Sequence, residues 1–336
     1  MAVTIAVDAM GGDFGPKITI PASLKFLKSH PDTNIILVGN KPQISKLLKN
    51  KGKFLDRLSI LHTTEVVKMD ESPQSALKNK KQSSMRLAIN QVKEGQAKAV
   101  VSAGNTGALM ATGRFVLKML PGIDRPAIAS FIPNQSGMTC MLDLGANSDC
   151  TSHHLVQFAI MGSILSSVIL KKRKPRVGLL NIGSEEIKGN EVTKETFHLL
   201  KASHLNFIGN VEGTDIFNGS TDVVVCDGFV GNVSLKTTEG LAKMFANFLG
   251  QEFKKNIITK ILALFALPVL KAFKKRLDPR RYNGASFLGI NGIVVKSHGG
   301  ADAFSFEHAI ETAYEEAKSN VVGKITKQLK IDQKLI

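Results

Sequence analysis

Ala97-Lys-Ala-Val-Val-Ser-Ala-Gly-Asn-Thr-Gly107 is a mainly apolar run that stops in a cluster of small and polar residues. Ala97–Val101 reads as a short strand with both faces covered, since its apolar residues run on rather than alternate. Ser102-Ala-Gly-Asn-Thr-Gly107 reads as a loop, and a helical pattern follows over 106–119. The same unit recurs around Asp8-Ala-Met-Gly-Gly-Asp13, Asp143-Leu-Gly-Ala-Asn147, Asn181-Ile-Gly-Ser-Glu-Glu-Ile-Lys-Gly189, Asp227-Gly-Phe-Val-Gly-Asn232 and His298-Gly-Gly300. In a parallel α/β sheet, ligands bind at the carboxyl ends of strands. Loops of this composition there read as one composite site that brings backbone N–H groups close to an anion. An enzyme acting on a phosphate-bearing or phosphate-derived substrate is the expectation.

Working outward, strand candidates are 3–7, 34–38, 58–62, 97–101, 127–131, 139–142, 176–180, 206–208, 222–226 and 293–296. Helical patterns occupy about 17–29, 41–50, 75–94, 106–119, 152–171, 190–202, 231–250 and 301–330. This alternation argues for βαβ units and a mainly parallel, Rossmann-like sheet. Residues 127–142 make the exception, a hairpin turning at Pro133-Asn-Gln-Ser-Gly137. The whole of 1–336 reads as a single catalytic α/β unit.

Of the 336 residues, 43% are hydrophobic and 21% charged, the composition of a water-exposed globular fold with ample core. Trp is absent and Tyr occurs twice, so platforms for stacking nucleic-acid bases are few. The net charge of +16 favours acidic partners or anionic surfaces. No nucleic-acid partner is expected. Cys140, Cys150 and Cys226 follow no metal-ligand or CxxC spacing, which fits reduced thiols in a cytoplasm. The N-terminus reads as a strand rather than a leader, and no apolar run reaches the roughly 18 residues that span a bilayer.

Residues 254–276 break the pattern. An uncharged core, Ile261–Leu270, is flanked by lysines and holds Pro268. Its apolar residues cover every helical face, unlike the single stripe of an ordinary surface helix. The segment reads as an inserted helix-turn-helix tip, interrupted at Pro268, that dips Leu264, Phe265 and Leu267 into an anionic membrane surface. A dimerisation arm is the other reading.

GxGxxG after a strand, GxxxxGK[ST], HExxH and GxSxG are all absent. A nicotinamide cofactor, a P-loop, a zincin metal and a serine elbow are therefore not expected, and no cofactor or metal is assigned. His153-His154 opens a helix and reads as structural. His298 precedes two glycines at a strand end and reads as a site residue.

In this order the loops resemble the phosphate acyltransferase family of bacterial phospholipid synthesis, the PlsX family. The resemblance is carried by the six loops above, with Arg125-Pro-Ala127, Gly209-Asn-Val-Glu-Gly213 and Tyr282-Asn-Gly-Ala-Ser-Phe-Leu-Gly289, and it spans nearly the whole chain. Ser286 and Phe287 depart from the Pro and Leu more usual in the family. The resemblance implies a three-layer α/β/α fold similar to isopropylmalate dehydrogenases and phosphotransacetylases, and a homodimer. It also implies the reaction: a fatty acyl group passes from the thioester of acyl carrier protein to inorganic phosphate. The acyl phosphate then serves a membrane glycerol-3-phosphate acyltransferase. A phosphate acetyl- or butyryltransferase acting on acyl-CoA is the alternative.

Such a reaction needs no covalent nucleophile, because phosphate is itself an anionic oxygen nucleophile and a thioester is activated. It needs a phosphate cradle, an oxyanion hole and exclusion of water. Lys188 is expected to set its charge against phosphate. Asn105, Asn147 and Asn232 are expected to donate to phosphate or to the oxyanion, and His298 to protonate the leaving thiolate. Gly11, Gly12, Thr106, Asn181, Glu185 and Gly228 complete the expected binding loops. Asp8, Asp13, Asp143 and Asp227 are expected to orient loops and cap helices.

Overall fold

The computed structural model describes residues 2–48, 54 and 56–331. The first half runs β1 (Val3–Asp8), α1 (Pro16–Ser29), β2 (Thr33–Gly39), α2 (Lys41–Leu48), β3 (Leu58–His62), α3 (Pro73–Asn79), α4 (Ser84–Lys93), β4 (Ala99–Ser102) and α5 (Thr106–Leu117). Next come β5 (Ala127–Asn134), β6 (Gly137–Leu142), α6 (Ser152–Ile169), β7 (Arg176–Leu180), α7 (Glu191–Lys201), β8 (Asn206–Val211), α8 (Asp215–Asn218) and β9 (Val223–Val225). The long helices α9 (Gly228–Lys254) and α10 (Ile257–Leu277) follow, then a 3-10 turn (Pro279–Tyr282), β10 (Ala285–Leu288), β11 (Ile293–Lys296), α11 (Ala303–Lys318) and α12 (Val321–Ile331). The expected helix 41–50 is seen to Leu48, and its last two positions lie outside the described residues.

Eleven strands form one sheet in the order β3-β2-β1-β4-β11-β10-β5-β6-β9-β7-β8. Strand alternation divides its side chains between two helical layers. Ile5, Val7, Val101 and Val295 meet Ile20 and Phe26 of α1 and Phe306 and Ile310 of α11. Ala6, Val100 and Val294 meet Met85 and Ile89 of α4 and Leu109 and Val116 of α5. Under the second half, Leu142, Val177 and Val225 are covered by Phe158, Met161 and Leu165 of α6 and by Val321 and Ile325 of α12. This is the expected three-layer α/β/α fold with a large, mostly parallel sheet.

Two features correct the sequence reading. Ala285–Leu288 is a strand, β10, antiparallel to both β11 and β5. It holds the atypical Ser286 and Phe287, both buried. Because β6 then runs antiparallel to β5, the strands β6, β9 and β7 point opposite to β1, β4 and β11. Secondly, α6 is an 18-residue helix apolar enough to cross a bilayer by length and composition, although no such run was expected. It is 72% buried inside the fold, so its apolarity is that of a core helix.

Helices α9 and α10 form a helical hairpin that turns at Lys255-Asn256, at the start of the 254–276 segment rather than inside it. Asn256 accepts from Thr259 N–H in a capping box that starts α10. The helix passes through Pro268 without interruption, contrary to expectation, and the apolar run lies along α10 rather than at the turn. Leu264 and Phe265 are exposed by 65% and 78% and Leu267 by 39%, with Met244, Phe245 and Phe248 of α9 also exposed. Such a contiguous apolar surface marks an interaction face.

Candidate functional site

The six loops do not leave one edge of the sheet. Three follow β1, β4 and β11, and three follow β6, β7 and β9, whose strands run the other way. Register nevertheless brings all six strand ends to nearly one level. Val7 pairs with Val101, Val101 with Val295, Val295 with Ser286 and Ser286 with Ala129. One residue along, Ser130 pairs with Met141, Met141 with Val224 and Val224 with Gly178. The two sets of loops therefore start at the same height on either side of β10 and β5. Between β11 and β6 lie three strand spacings, roughly 14 Å.

In the first set, Asp8, Ser102 and Lys296 end three neighbouring strands. Ser102 Oγ donates to Asp8 Oδ2 at 2.6 Å and accepts from Gly104 N at 3.0 Å. Asp8 is 1% exposed, and burial raises its carboxyl pKa above the ordinary range while the Ser102 hydroxyl opposes that rise. Gly11 and Gly12 let this loop approach its neighbours. A Cβ on Gly11 would lie 2.6 Å from Asp8 Oδ2, and Gly12 has φ +83°, where a Cβ would lie 2.8 Å from Ala103 Cβ and 2.9 Å from Gly299 O. Asp13 N donates to Gly299 O at 3.0 Å, which ties the first loop to the last.

Asn105 caps α5, accepting from Ala108 N at 2.9 Å, while its amide donates to Met69 O and Glu71 O. Both amide protons are thus engaged within the protein. In this structure the Asn105 side chain pins the loop, and Thr106 opens the helix that Asn105 caps. His298 is exposed. Its Nδ1 accepts from Gly300 N at 3.1 Å, which assigns the proton of the neutral ring to Nε2. Its backbone N–H donates to Asn283 Oδ1 at 3.0 Å.

The second set centres on Asp143, which is fully buried. Its carboxylate accepts from the backbone N–H groups of Ile128, Gly145, Ala146 and Asn147 at 2.7–3.2 Å. Asn147 Nδ2 donates to Asp143 Oδ2 at 2.9 Å and to Pro126 O at 2.8 Å. Its amide is likewise occupied, and in this structure it braces the loop. Asp227 caps α9 by accepting from Val230 N at 2.8 Å, as expected, and Gly228 N donates to Asn147 O at 2.7 Å. Asn232 is exposed one turn into α9, with its side chain against Gly145. Burial and the nearby Asp143 and Asp227 carboxylates push the Cys150 thiol up to about 12, so it stays protonated at neutral pH and is no nucleophile.

The β7 loop presents Lys188, Glu185 and Ile187 to solvent. Asn181 fixes its base, with Oδ1 accepting from Ile182 N and Nδ2 donating to Lys188 O at 3.1 Å. Asn210 Nδ2 holds the far side through Glu185 O at 2.9 Å. Among the described residues, no hydrogen bond or ion pair joins the first set of loops to the second. His154 is a capping residue, its Nδ1 accepting from Thr151 N at the start of α6.

Sequence reading missed Lys296, the last residue of β11, buried at 8% exposure. The available signal was a lysine closing an otherwise apolar strand, Ile293-Val-Val-Lys296, immediately before a site-like loop.

Relatives with this sequence carry a shared name. Residues 3–324 match the family model described as fatty acid synthesis protein. The phosphate acyltransferase of Chromobacterium violaceum is 63% identical over 326 residues, covering 97% of this chain and 94% of that protein. The phosphate acyltransferase of Legionella pneumophila strain Paris is 57% identical over 97% of this chain and 96% of its own. In three dimensions the fold resembles a phosphotransacetylase from Streptococcus pyogenes, with TM-score 0.64 and 17% identity over 95% of this chain and 94% of that one. The EutD phosphotransacetylase of Staphylococcus aureus gives TM-score 0.63 at 13% identity, covering 94% of both chains. The ordered loops, the three-layer fold and these full-length relatives agree: the chain belongs to the phosphate acyltransferase (PlsX) family of transferases.

Proposed function

We propose that this chain transfers a fatty acyl group from acyl carrier protein to inorganic phosphate, giving acyl phosphate for phosphatidic acid synthesis. The observation that carries the reading is the 63% identity to a phosphate acyltransferase over 97% of the chain. The two sets of loops, level with each other across β10 and β5, are the two walls between which thioester and phosphate meet. On one wall, Lys188 faces phosphate with its exposed ammonium and Asn232 donates to phosphate or to the thioester oxyanion. On the other, His298 Nε2–H donates a hydrogen bond that stabilises the leaving thiolate. One phosphate oxygen attacks the carbonyl carbon, the tetrahedral intermediate collapses, and the carbon–sulfur bond breaks. A single oxyanion donor of this kind contributes about 3 kcal/mol to the transition state.

The chain works as a cytoplasmic homodimer held peripherally on the membrane. The exposed apolar rows of α9 and α10 support both contacts, and the net charge of +16 supports docking of an acidic carrier protein and of anionic lipid.

Purified protein incubated with palmitoyl-acyl carrier protein and phosphate tests the reaction, with product identified by mass spectrometry. Phosphate-dependent acyl phosphate is the expected result. Product from acetyl- or butyryl-coenzyme A alone would overturn the long-chain reading.

A further inference from the structure

Lys296 has no place in the chemistry above, yet its surroundings are unusual. It ends β11 in register with Ser102 of β4, and Ser102 in turn binds Asp8 of β1. Its Nζ donates to Ala103 O at 3.3 Å and to Ser297 O. These acceptors are two carbonyls on two different site loops, and neither is a carboxylate. The charged groups acting on it are Asp13 and Asp8 of the β1 loop. From the β4 strand and loop it is in register with Ser102 and bonds the Ala103 carbonyl, and its partner in register on β10 is Ala285. His298 is the titratable group of its own loop. On α4, Ser84 stands beside Asp8 and Arg86 lies over Phe115. Helices α5 and α11 meet β11 through Gly113 and Phe306.

The sheet does not require an ammonium at this position. An apolar side chain would suit a buried strand end, and a buried charge without an ion-pair partner costs free energy. Perturbed buried charges of this kind gather at functional sites.

We propose that Lys296 is a positioning residue for the transfer reaction, its ammonium clamping Ala103 O to Ser297 O and so fixing the β4 loop and the His298 loop beside Asp8 and Asp13. This rests on the reaction assigned above. A neutral amine keeps two N–H donors, so deprotonation weakens the clamp by removing the charge that strengthens both bonds. Burial lowers the Lys296 pKa to about 8, against the raising effect of Asp13 and Asp8, so the clamp loosens as pH rises through that value.

Three full-length proteins test this: wild type, Lys296→Met and Lys296→Arg. Acyl phosphate formation is measured from pH 6 to 9.5, with hydrogen exchange at loops 102–107 and 297–300. Lys296→Met should lower kcat at least about tenfold while leaving the phosphate KM within about twofold, because Nζ touches loops and not substrate. Lys296→Arg should recover most of the rate and move the basic limb of the profile to higher pH. Exchange at both loops should quicken in Lys296→Met but not in α1 or α11. An unchanged basic limb in Lys296→Arg, or loss of rate together with general unfolding, would overturn the proposal. Absence of acyl phosphate from wild type would sink the reaction instead. Loop exchange then still decides on the clamp, and unchanged exchange in Lys296→Met would refute it.

Discussion

Gly231 lies so close to the main-chain carbonyl of Asp143 that a Cβ at residue 231 would overlap its oxygen. The contact seats the first turn of α9 on the β6 loop, where Asp143 gathers four backbone N–H groups. The opposing atom is backbone, so no side-chain rotation relieves the overlap. Gly231→Ala should therefore destabilise the protein by about 2–3 kcal/mol, as overpacking does in other interiors. Urea denaturation would show it, and an unchanged midpoint would mean that α9 can lift away from Asp143.

Lys188 is exposed, so removing its side chain should leave the fold alone. If it faces phosphate, Lys188→Ala loses a charge-assisted hydrogen bond of roughly 1.5–3 kcal/mol. The phosphate KM should rise about 10- to 100-fold with the melting temperature unchanged. Steady-state kinetics with varied phosphate checks this. An unaltered KM would remove Lys188 from the site.

The apolar row of α10 should carry membrane attachment. Leu264→Asp with Phe265→Asp replaces two large exposed hydrophobes, each worth roughly 1.5–3 kcal/mol when buried. Sedimentation with phosphatidylglycerol vesicles should show release of the double variant, while turnover of soluble substrate persists. Loss of the dimer instead, seen by light scattering, would assign the row to subunit packing.

Glu316 is buried in the layer beneath β10, where its carboxyl accepts from the Ser286 hydroxyl. Burial pushes its pKa up to about 7, from 4.5 in the unfolded chain, and the Ser286 hydroxyl opposes that rise. Between those values the native state holds more protons than the unfolded one, so stability falls as pH rises from about 4.5 through 7. The full effect is of order 3 kcal/mol. Glu316→Gln should flatten this slope. Denaturation midpoints at pH 5 and pH 8 provide the comparison, and parallel slopes for both proteins would count against a raised Glu316.

The sequence by itself determined the strand–loop–helix order, the positions of nearly all the strands and the loops that carry the family likeness. Those signals are local. A run such as Val3–Val7 is apolar because it is covered on both sides, and Gly12 stands where φ is +83°. The apolar and basic character of 254–276 was legible for the same reason, but α10 runs straight through Pro268 and the turn lies at Lys255-Asn256.

Tertiary structure alone decided how these parts face one another. The strand β10 is four residues long and reads locally as loop, yet its pairing with both β11 and β5 fixes the direction of the second half of the sheet. From that follows the division of six loops into two facing sets. Asn105 and Asn147 looked like free donors because the carbonyls that occupy them, Met69 and Glu71 in one case and Pro126 in the other, are distant in the chain. Lys296 looked like the polar end of a strand. Its role emerges only where β1, β4 and β11 bring Asp8, Ser102 and Lys296 side by side, since burial and charge are properties of the neighbourhood and not of the residue.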